Sequence, residues 1–141
     1  MGRSLLVIAA TGAVTALAAL VCTAVALSTA DAPVLVHGRS GFYVFGTSAA
    51  TLAWLGAIVL TRSVSISFAG GVFAGGSTAN LAAVLLWPSI DGVPDPMTAG
   101  DVAFNLADVA VAVGLVLVLA TTVGFAVRNR ARLHERVPAT P

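Results

Sequence analysis

The segment from Leu5 to Leu27 carries no charged side chain over about 23 residues, and at 1.5 Å per residue a helix of that length crosses a hydrocarbon core about 30 Å thick. This feature restricts the fold more than any other, because backbone placed in hydrocarbon must satisfy its N–H and C=O groups within a helix or a closed barrel. Arg3 and Ala30-Asp31-Ala32 resemble the flanks of a secretory signal, but such a signal has an apolar core of only about 7–15 residues. An uncleaved membrane anchor is therefore expected.

Three more stretches read the same way. The second runs from about Phe45 to Thr61, and the third from Val64 to Trp87, where Pro88 stops the helix. The fourth runs from Val102 to Val127. Between them, Ser28 to Gly41 and Ser89 to Asp101 have the proline, glycine and aspartate content of loops. Residues 1–127 are thus expected to form a four-span membrane domain, and 128–141 a basic tail. Composition agrees: 58% of residues are hydrophobic and 9% charged, where a soluble domain has about 25% charged. A net charge of +1 with no lysine excludes the basic footprint that nucleic-acid binding needs. The single cysteine, Cys22, excludes an internal disulfide and reads as a small buried side chain.

Arg3, Arg62, Arg128, Arg130, Arg132 and Arg136 all flank one side of these spans, and the positive-inside rule makes that side cytoplasmic. The expected fold is an all-α membrane protein, a four-span helical bundle with both termini cytoplasmic and its site near the outer face. Gly71 and Gly75 form a small-xxx-small pair, and Gly76 lies one turn before Asn80, so this face of span three is expected to admit another helix closely. Trp87 and Tyr43 read as interface anchors, and Trp54 as lipid-facing or core surface. His37 and His134 lie far apart, and no ligand spacing links them. Neither a metal nor another cofactor is expected.

The informative positions are polar ones that hydrocarbon should exclude. Asn105 and Asp108 are three residues apart and share a face, placed about 5–10 Å along a helix counted from Asp101. Asn80 lies about 10 Å below Trp87, in the same layer. A charged aspartate at the centre of a spanning helix costs about 2.5–3.5 kcal/mol on insertion scales, so a carboxyl here calls for a reason. Interhelical hydrogen bonding is one reason. Another is a proton-sharing pair, for which the outer loop offers Asp91, Asp95 and Asp101 as partners to Asp108. A proton or ion site at Asp108 in a small structural or transport subunit is a third.

Phe104-Asn105-Leu106-Ala107-Asp108, continuing to Gly114, resembles the F-N-x-A-D-x-x-I-x-x-G signature that opens the last span of lipoprotein signal peptidases, also called signal peptidase II. Gly75-Gly76-Ser77-Thr78-Ala79-Asn80-Leu81 resembles the family's G-G-x-x-G-N-x segment, with Ala79 for its last glycine. Val93-Pro94-Asp95 resembles its V-x-D-F segment, with Pro96 for phenylalanine. The resemblance implies an intramembrane aspartic endopeptidase in the bacterial inner membrane that removes signal peptides from lipid-modified prolipoproteins. It implies Asp95 and Asp108 as the catalytic pair and Asn80 and Asn105 as substrate-binding or positioning residues, with membrane lipid as surroundings. Ala83 and Val84 stand where the family carries Asp-Arg, and Asp31 alone remains of its outer motif after span one. A relative that binds membrane peptides without cleaving them is therefore a further reading.

Overall fold

The computed structural model describes residues 2–30, 34–38, 40–90 and 92–130. These residues form four long helices and four short strands, in the order α1 (Gly2–Thr29), β1 (Leu35–His37), α2 (Gly41–Thr61), α3 (Val64–Leu86), β2 (Val93–Asp95), β3 (Met97–Ala99), β4 (Val102–Phe104) and α4 (Leu106–Arg128). All four helices are long and apolar enough to cross a membrane. The chain is an all-α helical bundle with two small strand pairs at one end.

Helix boundaries follow side-chain chemistry. Ser40 and Ser63 have extended backbone, and their hydroxyls accept the N–H of Tyr43 and Ile66, which satisfies donors that the first turn leaves without a partner. Arg62 closes α2 in the left-handed region at φ 54°, so α2 and α3 are joined by a two-residue turn. The first three helices reproduce the expected spans to within a few residues. The fourth differs in kind at its start: Val102–Phe104 is a strand, and the helix begins at Leu106. Asn105 is its N-cap, with φ −124° and ψ 175°. Local capping outweighs the hydrophobic run here, because Asn105 and Asp108 each satisfy a backbone donor of the other.

Helix α3 is the centre of the bundle, with 56% of its most apolar window buried against 11% for α1 and α4. In hydrocarbon no hydrophobic drive pulls helices together, so close van der Waals packing must do it, and small residues permit that approach. A Cβ on Gly75 would come 2.5 Å from the Gly12 carbonyl oxygen of α1, and one on Gly76 would come 2.6 Å from the Ala107 oxygen of α4. Gly114 of α4 receives the backbone of Phe73 in the same way. One face of α3 therefore takes α1 and another takes α4, while Ile58 of α2 covers Gly70. Ile8, Ile58, Ile66, Ala69 and Val118 fill the core at the end away from the strands, and Ala19, Ala79 and Ala107 fill it near them. Cys22, expected to be buried, is exposed. The packed face of α1 carries Ala19 and Thr23, and Cys22 points away from it.

The strands form two antiparallel pairs. β1 pairs with β2, with Leu35 opposite Asp95, Val36 opposite Pro94 and His37 opposite Val93, and β3 pairs with β4. Each sheet has only edge strands, so Pro94, which lacks an N–H, is tolerated in β2.

Substituting Gly75 by Val should force α1 and α3 apart and cost about 1–3 kcal/mol through overpacking. Gly56→Ala, where a Cβ meets nothing within 4 Å, should leave stability unchanged or raise it by up to about 1 kcal/mol through helix propensity. Thermal unfolding of the two variants in detergent micelles checks the contrast.

Candidate active site

The strand end of the bundle collects polar side chains that are far apart in the chain. Asn80 comes from the last two turns of α3, Asp95 from the end of β2, and Asn105 and Asp108 from the cap and first turn of α4. Asn80, Asp95 and Asn105 are buried, with Asp95 at 1% exposure and Asn105 at 2%. Asp108 is half-buried. Because α4 begins at Leu106, Asp108 sits within the first helical turn and not 5–10 Å down a helix from Asp101. A carboxylate there faces the positive end of the helix dipole and lies far from the centre of the span, where charge is most costly.

Hydrogen bonds connect all four residues. Asn105 Nδ2 donates to Asp95 Oδ1 at 2.9 Å and to Asn80 Oδ1 at 3.0 Å, with the Pro94 carbonyl oxygen at 3.4 Å. Asn80 Nδ2 donates to Asp108 Oδ1 at 2.7 Å. The Asn105 backbone N–H donates to Asp108 Oδ2 at 3.1 Å, and the Asp108 N–H returns a bond to Asn105 Oδ1 at 3.0 Å. Asn105, Asn80 and Asp108 therefore close a ring, and Asp95 joins it through Asn105. An amide with two N–H donors and one carbonyl acceptor is suited to this position, since it donates to Asp95 and Asn80 and accepts the Asp108 backbone N–H at once. Burying these groups is tolerable because each finds a partner.

Of the three aspartates that the sequence offered as partners of Asp108, the described residues include two, Asp95 and Asp101. Asp95 enters the network. Asp101 is exposed at the turn between β3 and β4, beside Gly100 at φ 60°, and takes no part in these bonds. Asp91 lies outside the described residues, as do Asp31 and His134. Among the described residues, no group of three or more His, Cys, Asp or Glu could hold a metal ion.

One member of the cluster escaped the sequence reading. His37 Nδ1 is hydrogen-bonded to Asp95 Oδ2. It reaches Asp95 through the β1–β2 pairing, across 58 residues of chain. Gly92, at φ 140°, makes room for that pairing, since a Cβ there would overlap the His37 carbonyl oxygen and come 2.7 Å from Val36 Cγ1. The sequence gives little hint: Leu35 and Val36 favour a strand, but Pro94 and Asp95 do not, and only the flanking Gly38 and Gly92 mark the ends of the two segments. Three residues are too few to announce their mutual register.

No protein-family model, curated protein or solved structure matches the chain, so the site is interpreted through its own chemistry. Two carboxyls held by two carboxamides at the end of a membrane-length bundle can bind water or a peptide carbonyl and move a proton.

Replacing Asn105 with Ala should destabilise the bundle by about 2–4 kcal/mol, combining a lost N-cap of about 1 kcal/mol with buried oxygens on Asp95 and Asn80 that lose their donor. Asn105→Asp keeps the cap oxygen but sets a carboxylate oxygen against Asp95 Oδ1 and Asn80 Oδ1, so it should recover no more than the capping share. Unfolding of both variants in micelles measures the difference.

Proposed function

We propose that the chain is an intramembrane aspartic endopeptidase of the lipoprotein signal peptidase type, acting on lipid-modified prolipoproteins in a bacterial cell membrane. The observation that carries this reading is the Asp95–Asn105–Asn80–Asp108 network, which gathers the residues of the three resembling segments at one end of the bundle. The arginine distribution favours cytoplasmic termini, and in that orientation the strand end with its carboxyls faces outward. A signal peptide released from the translocation machinery would meet it there.

The chemistry follows from two acids of unlike protonation. One carboxyl, ionised, accepts a proton from a water molecule as its oxygen adds to the scissile carbonyl carbon. The other, protonated, donates a hydrogen bond to the carbonyl oxygen as negative charge develops there. Collapse of the tetrahedral species breaks the C–N bond, and the proton taken from water passes to the leaving amine. Asn80 and Asn105 hold the acids at fixed separation through the process. The half-buried Asp108 is the more accessible of the two carboxyls.

Expression in cells depleted of their own lipoprotein signal peptidase tests the proposal. The wild-type chain should restore conversion of prolipoprotein to the mature form, while Asp95→Asn and Asp108→Asn should each reduce it by at least about 100-fold, the lower end of the range for loss of a general acid or base. Normal processing by Asp108→Asn removes the two-acid mechanism. Peptide binding without turnover by the wild-type chain favours the non-cleaving relative. Ion flux that depends on Asp108 favours the transport subunit.

A further inference from the structure

The mechanism above does not use His37, yet its ring makes the second of two bonds that hold Asp95. Asn105 Nδ2 engages Oδ1 at 2.9 Å, and His37 Nδ1 engages Oδ2. The Asp95 side chain is wholly buried, whereas the His37 side chain is 55% exposed, so the imidazole lies between the carboxyl and the outside. Strand geometry accounts for the meeting. His37 stands opposite Val93, and Asp95, two residues further along β2, is on the same face and within diagonal reach of a long side chain. Gly92 permits this register by leaving space for the His37 carbonyl.

We propose that His37 is a positioning residue for Asp95, an inference that rests on the aspartic endopeptidase reading. The torsion that turns an aspartate carboxyl is broad and roughly two-fold, so a single donor on Oδ1 leaves the plane of the group loosely set. A second donor on Oδ2 fixes it. Proton transfer from water requires an oxygen of the base within about 2.6–3.2 Å of the reacting water, and a misplacement of about 1 Å can lower the rate about 100-fold. The connection between α1 and α2 therefore contributes a residue to the site and sets the attitude of one acid. The active arrangement depends on the β1–β2 pairing as well as on the helix bundle.

Two measurements on the full chain in detergent test this. The sequence has two histidines, so ¹⁵N-histidine NMR reports His37 and His134 separately, with His37→Asn making the assignment. Asp95→Asn should shift the His37 Nδ1 signal and leave His134 in place. An unmoved His37 signal overturns the inference whatever the activity. Steady-state cleavage of a synthetic signal peptide bearing a diacylglyceryl-cysteine is the second measurement. His37→Leu should lower kcat about 10–100-fold with KM within about threefold, because the interaction serves the reaction and not ground-state binding. His37→Asn, which keeps an N–H near the Nδ1 position, should restore most of the loss. Unchanged or raised kcat in His37→Leu overturns the proposal, and so does equal loss in both variants, which marks a packing role. No cleavage by the wild-type chain overturns the endopeptidase reading and the role of His37 with it. Cleavage without NMR coupling overturns the inference alone.

Discussion

The carboxamide of Asn105 is the interaction on which the strand end of this molecule depends. Its nitrogen serves Asp95 and Asn80, and its oxygen caps α4 through the Asp108 N–H. One side chain thereby ends a strand, starts a helix and links two acids that arrive from different elements. The same group decides where the last helix begins. A capping box at Asn105 and Asp108 stops the apolar run from extending the helix back to Val102 and releases Val102–Phe104 to pair with β3.

Packing of the helices supports this arrangement from below. Helix α3 can carry Asn80 to the cluster only because its glycines let α1 and α4 approach to backbone contact. In a solvent as apolar as the side chains, such contact and interhelical hydrogen bonds are what favour association. The polar layer lies at the end of the bundle, where the cost of charge is lower than at mid-span.

The sequence carried the four helices plainly, since runs such as Leu5 to Leu27 and Val64 to Trp87 have one economical structure in hydrocarbon. It also named four polar residues, Asn80, Asp95, Asn105 and Asp108, that the fold brings into a single network. Composition did not separate Asp91, Asp95 and Asp101, which share one proline- and glycine-rich stretch; only the likeness of Val93-Pro94-Asp95 to a family segment pointed to Asp95. Asp101 faces out at a hairpin turn, while Asp95 faces in. His37 was invisible for a related reason, since its partner stands 58 residues away and is reached only through a three-residue strand pair. Cys22 was misjudged because an apolar run is the same on every side in sequence, and only the packed helix has an inside.

The sequence by itself determined that the chain is a bundle of membrane-length helices and which residues resist a purely apolar explanation, because hydrocarbon length and the cost of polar groups act locally along the chain. The tertiary structure alone decided how Asp95 meets Asn105, that a histidine from the first connection joins it, and where the last helix starts. These depend on strand register and backbone contact between distant segments. The physical reason is that a hydrogen bond across a fold is specified by the positions of both its ends, and each end is fixed by packing that no single segment encodes.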